Sequence, residues 1–168
     1  MLPLHPAIVH VPLGLAAAMP LVLLALTVAL FRRKVVPRAF LMGALLQAIV
    51  VGGGVLALAT GNAEESRVER IVTEAALDRH EDLALVFVIA AAATLLTLLA
   101  TAFGKERWAR AAAVASTAAS VGVLGLGLAV GHAGGSLVYR DGAAGAYATP
   151  AQSGAVGSSH PPRAADDD

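Results

Sequence analysis

The chain has 168 residues, enough for one ordinary domain, with no net charge and no cysteine. Hydrophobic residues make up 57% of it and charged residues 14%, with a mean hydropathy of +0.73. A water-soluble domain carries about 25% charged residues, so the lipid bilayer is the solvent this composition fits. Without cysteine there are no disulfides, thiolate metal sites, iron–sulfur ligation or covalent c-type haem attachment. Basic residues sit in loop clusters rather than along a stripe, so no nucleic-acid partner is expected.

In chain order, "HPAIVHVP" (residues 5–12) leads into an apolar run, and residues 7–31 form the first predicted span. Its positive charges follow the apolar core rather than precede it, which reads as a retained span and not as a cleaved signal. Three further spans are predicted at about 40–60, 83–103 and 111–131. None of the four contains Lys, Arg, Asp or Glu, and each is long enough for a helix to cross a hydrocarbon core, which takes about 20 residues. Pro12 and Pro20 each remove a backbone donor from the first span and predict local opening there.

The connections set the orientation. "FRRKVVPRAF" carries Arg32, Arg33, Lys34 and Arg38 with no acid, and "GKERWAR" carries Lys105, Arg107 and Arg110 against Glu106. The connection from Gly61 to Asp82 has three basic and seven acidic residues. By the positive-inside rule the first and third connections are cytoplasmic, and both termini lie outside a bacterial inner membrane.

Within the second connection, residues 63–82 carry Val68, Ile71, Val72 and Leu77 at roughly helical spacing, which predicts a short amphipathic helix in the outer loop. After Arg140 the chain becomes small, polar and proline-bearing. The expected organisation is therefore an all-α, four-helix transmembrane domain over residues 1–141 and a disordered tail over 142–168. Helices in lipid gain little from apolar contact alone and need close backbone approach. Ala115, Ala119, Gly127, Gly131 and Gly135, with Gly52 to Gly54, are the residues expected to permit it.

Alternating spans place His5, His10, His80 and His132 together at the outer end, while His160 lies in the tail. Imidazole suits haem iron, copper, zinc and non-haem iron. His5 and His10 are five residues apart, about 140° around a regular helix, so a shared ligand set needs a non-helical start; otherwise one of them faces the bundle. Taken singly, each histidine is more readily an interfacial or capping residue; it is the joint pattern that points to ligation. Glu64, Glu65, Asp78, Glu81 and Asp82 surround the same end and read as a solvated acidic loop. There is no HExxH motif and no Ser/His/Asp arrangement.

These residues resemble a bacterial family of four-span integral membrane proteins of unknown function. The family opens with H-P-x-x-V-H-F-P, matched by "HPAIVHVP" with Val11 in place of Phe. It carries T-G after the second span (Thr60, Gly61) and a histidine at the start of the third (His80). It closes with H-x-G-G-x-L-V-Y-x-x-G, matched by "HAGGSLVYRDG", His132 to Gly142. The resemblance spans about residues 2–146. Similar domains occur fused to Rieske-type or c-type cytochrome modules, which implies an electron-transfer setting with a membrane or periplasmic redox partner supplied in trans.

On that basis the expected occupant is haem b, held by histidines among His5, His10, His80 and His132. Gly134 and Gly135 would let backbone approach the macrocycle, and Tyr139 or Arg140 would meet its propionates. Two alternatives stand beside it: a zinc, copper or iron ion on the same four histidines, and a structural or assembly subunit with no cofactor. Transport is poorly served by spans without charge. Homo-oligomerisation is left open.

Overall fold

The computed structural model describes residues 5–147. Among them the chain is helical, with no strand. A short α1 (His5–Ile8) leads into α2 (His10–Phe31), followed by α3 (Phe40–Val68), α4 (Glu74–Phe103) and α5 (Glu106–Tyr139). Short 3₁₀ turns cover Pro37–Ala39 and Ala143–Tyr147. The last four α-helices are long and apolar enough to cross a membrane. Each packs on its neighbours in the cyclic order α2–α3–α4–α5, and α5 returns to α2, so the four antiparallel helices close a ring.

The ring has a small-residue interior and a large-residue exterior. Leu21, Leu96 and Leu128 are 72%, 68% and 67% exposed, whereas Ala91, Ala109, Ala113 and Ser116 are fully buried. That inversion suits lipid, where outward leucine costs nothing and inward small residues let backbones meet. Larger side chains fill two interior layers, one around Met19, Leu23, Phe40 and Leu98 and one around Val50, Phe87 and Val123. The expected small residues divide by role. A Cβ on Gly53 would press on the Pro12 ring at 3.1 Å, and one on Gly127 would meet Leu13 and Phe87, while Gly52, Gly131 and Gly135 face open space.

Polar side chains that the hydropathy pattern passes over link the helices inside. Gln47 donates from Nε2 to the Ala91 carbonyl at 3.0 Å, joining α3 to α4. Thr27 bonds Thr117 Oγ1 at 2.9 Å, joining α2 to α5, and Ser116 donates to Thr97 Oγ1 at 3.0 Å, joining α5 to α4. Such bonds average about 0.6 kcal/mol in membrane bundles.

Of the two openings expected from proline, the one near the end of the span is present and the one near its middle is not. The backbone opens at Val9, because Pro12 has no N–H to offer the Ile8 carbonyl. Pro20 lies inside a continuous helix. At the basic end α2 stops sharply: Arg33 takes φ +55°, its amide reaches the Leu30 carbonyl at 3.0 Å, and the Lys34 amide reaches Ala29 at 2.9 Å. This is a Schellman ending built on arginine instead of glycine.

Two expectations at the end away from the basic connections are corrected. There is no separate amphipathic helix in the α3–α4 connection: residues 63–68 are the end of α3, residues 74–82 the start of α4, and the break falls between them. The β-branched run Ile71, Val72 and Thr73 is poor helix sequence, and Val72 turns inward instead, packing with Leu137 and Ala143. Residues 143–147, assigned to a disordered tail, form an ordered turn over that cluster after Gly142 reverses the chain at φ +77°. The rest of the expected tail, with His160, lies outside the described residues.

Candidate functional site

All four candidate histidines lie at the end of the bundle away from the basic connections, and two of them meet. His5, at the first turn of α1, and His80, on the second turn of α4, place their ring centroids 6.1 Å apart with the planes at 88°. His10 is exposed and turned back on its own helix, with Nδ1 2.6 Å from the Pro6 carbonyl. His132 is exposed. Helical geometry accounts for both. The α1 and α2 turns keep near-helical phase through Val9, so His10 stays about 140° from His5. His132 precedes Gly134 by two residues, about 200° around α5, and Gly134 is the residue that faces His80.

The pair sits in a seat made of backbone. The His5 ring lies over Gly61 of α3, where an added Cβ would stand 3.4 Å from Cε1 and Nδ1. The His80 ring lies over Gly134 of α5, where a Cβ would stand 3.0 Å from Cε1. Four segments thus meet at one point, each glycine admitting the ring opposite it. Of the glycines proposed to allow close approach, Gly134 does so and Gly135 does not.

The hydrogen bonds around the pair define which nitrogens are free. His5 Nδ1 lies 2.8 Å from the Ala57 carbonyl, which can only accept, so Nδ1 carries a proton, and in the neutral ring the lone pair is on Nε2. Thr60, whose hydroxyl donates to the Leu56 and Ala57 carbonyls, stands 3.4 Å from the same Nδ1. On His80 the Val130 carbonyl lies beside the ring, but Nδ1 is buried and has no hydrogen-bond partner of good geometry. A buried unpartnered imidazole nitrogen costs free energy unless something else meets it.

The acidic residues do not complete a ready-made metal set. Among the described residues no group of three His, Asp or Glu side chains is placed to hold a metal ion. Tyr139 is 89% exposed and Arg140 is exposed, so neither reaches the pair. Tyr147, which the sequence reading left in the tail, closes the same end: its hydroxyl donates to Glu64 Oε2 at 2.7 Å. Burial and that carboxylate push the Tyr147 phenol up to about 12.

A family model described as a predicted membrane protein, DUF2231, matches residues 1–146. The chain belongs to the DUF2231 family. No curated protein and no solved structure matches it. The DUF2231 match takes in α1 to α5 entire, and with them both histidines of the pair and both glycines that seat them. Thr60 and Gly61, a weak signal in the sequence, are where α3 of this DUF2231 chain receives the His5 ring. The pairing of His5 with His80 was not legible beforehand, because depth in the membrane is readable from span ends and rotation about the helix is not.

Proposed function

We propose that this integral membrane protein carries a two-imidazole metal centre at the outer end of its bundle and serves electron transfer in the membrane. His5 and His80 are the ligands and haem b is the group held. The observation that carries this reading is the perpendicular His5–His80 pair at 6.1 Å. Metal–imidazole bonds of about 2 Å on each side, plus about 1 Å from nitrogen to ring centre, put two opposed ligand rings about 6 Å apart.

His5 and His80 are the residues that would hold the group. Ala57 fixes the His5 tautomer that leaves Nε2 free, as backbone carbonyls commonly do for ligating histidines. His80 supplies a buried nitrogen with no hydrogen bond of good geometry, the Val130 carbonyl lying beside its ring. Gly61 and Gly134 let both rings lie against backbone. Haem iron between two imidazoles would supply reversible one-electron chemistry. Burial of the His80 ring shields one side of such a centre from water, and the Tyr147–Glu64 bond ties the chain down at the same end of the bundle. A bacterial inner membrane with the pair on the outer face is the setting that the basic connections favour.

A second reading, a bare copper, zinc or iron ion on the same two rings, is favoured by the tightness of the seat, with His80 already at the contact limit of Gly134. It also needs none of Gly135, Tyr139 or Arg140, which lie away from the pair.

A visible spectrum and metal analysis of the detergent-purified chain test both readings. A Soret band lost in His5→Ala and His80→Ala, but kept in His10→Ala and His132→Ala, is the expected result. Stoichiometric metal without porphyrin selects the ion. A cofactor-replete preparation with neither, or a loss that follows His132 and spares His5, rejects the two-imidazole centre.

A further inference from the structure

The opposite end of the bundle holds a second built feature that the histidine pair leaves unexplained. A groove of about 900 Å³ opens between the α2–α3 connection and the α4–α5 connection. Its lining combines the apolar Leu30, Val36 and Phe103 with the basic Arg33, Arg38 and Arg110. A smaller hollow of about 750 Å³ adjoins it through Arg33 and Arg110 and adds Lys105 and Arg107. Glu106 is the one acid lining either.

We infer that this groove binds an anionic phospholipid, the phosphate against Arg33, Arg38 and Arg110 and an acyl chain along Leu30, Val36 and Phe103. Three observations argue for a lipid over a soluble anion. First, the groove lies at the depth of an aromatic girdle: Phe31, Phe103 and Trp108 are 50%, 70% and 64% exposed at this end of the ring, as side chains at a membrane–water boundary are. Second, half of the lining is apolar and continuous with the lipid-facing surface, which a free phosphate has no use for. Third, the cations are positioned rather than scattered. The Arg110 guanidinium stands 5.8 Å from the Phe31 ring centre and that of Arg107 5.8 Å from the Trp108 ring centre. The Arg33 backbone is held by the helix ending that gives it φ +55°, and its side chain lines both hollows.

The charge balance points the same way. Five basic residues against one acid create a strong field at a headgroup plane, and none of the five makes an ion pair within the described chain. Basic pockets between spanning helices are recognised sites for multiply charged headgroups. This inference is independent of any cofactor at the other end.

Trp108 is the single tryptophan of the chain and stands beside the groove, so it reports on the lipid there. The full-length protein is reconstituted in phosphatidylcholine vesicles with a minor fraction of phosphatidylglycerol, and bromine is placed on the acyl chains of one lipid or the other. Brominated phosphatidylglycerol should quench Trp108 well beyond its share of the bilayer, and brominated phosphatidylcholine should not. The preference should fall about fivefold for each arginine removed in Arg33→Gln and Arg110→Gln. It should stay unchanged in Arg32→Gln, whose side chain does not line the groove.

Inorganic phosphate, added against chloride at equal ionic strength, should leave the quenching as it was; competition by phosphate would mean a soluble-anion site and overturn the inference. So would equal quenching by the two lipids, or a preference that survives both arginine changes. Should the double variant fail to fold, Arg38→Gln alone carries the comparison, with native mass spectrometry of retained lipid as the second readout.

Discussion

The His80 imidazole lies directly on the backbone of Gly134, so close that a Cβ there would stand 3.0 Å from Cε1. Gly135, the next residue, faces open space. The two neighbours therefore separate the general cost of helical glycine from a specific need for it. Gly135→Ala should stabilise the bundle by about 0.5–1 kcal/mol through lower chain entropy. Gly134→Ala should forfeit that gain and cost about 1–3 kcal/mol by overpacking, while shifting the His80 ring away from His5. Thermal unfolding in one detergent, with a two-dimensional spectrum of the histidine ring protons, checks both halves.

A pH dependence follows from the Tyr147–Glu64 bond. Its phenol is pushed up to about 12 by burial and by the Glu64 carboxylate it donates to, against an ordinary value near 10. The folded state thus holds the proton more tightly than the unfolded state. The stabilisation is complete below about pH 10 and is lost as pH rises from there through about 12. In a Tyr139→Phe background, tyrosinate absorbance should titrate late in the folded protein and early in denaturant. Tyr147→Phe should flatten the stability profile across that alkaline window.

Arg33 holds a left-handed conformation that glycine adopts freely. Arg33→Gly should raise stability by about 1 kcal/mol in a neutral detergent, where no anionic headgroup rewards the arginine. The same substitution should weaken retention of anionic lipid. Melting curves with and without phosphatidylglycerol should therefore cross in sign.

Gln47 is 1% exposed and bonds a helix carbonyl that α4 already satisfies internally. Gln47→Leu should therefore cost little, about 0.6 kcal/mol and no more than about 1.7. Gln47→Ala should cost about 2 kcal/mol or more, because it leaves a hole where α3 meets α4. Chemical denaturation of the purified chain distinguishes a packing loss from a hydrogen-bond loss by the gap between the two variants.

The four spans were legible because charge is excluded from oil, and stretches without Lys, Arg, Asp or Glu are hard to mistake. Their ends were not. α3 runs on from the predicted stop at Thr60 to Val68, and α5 from Gly131 to Tyr139, because helical hydrogen bonding outlasts the hydrocarbon and tolerates Glu64 or His132 outside it. That extension is what turns His132 away from the pair. Once "HAGGSLVY" is helical, His132 and Gly134 point in opposite directions, and only one of them can serve the interior. The polar links Thr27–Thr117, Ser116–Thr97 and Gln47–Ala91 were hidden for another reason: a lone Thr or Gln barely moves a hydropathy average.

The break at residues 69–73 divides the chain into two helical hairpins, α2 with α3 and α4 with α5, and His5 belongs to the first while His80 belongs to the second. Neither hairpin contains the pair. The two rings come face to face only where the halves dock and the circle of helices closes, so either half alone carries one ring of the pair and the pair itself reports that the ring of helices has closed.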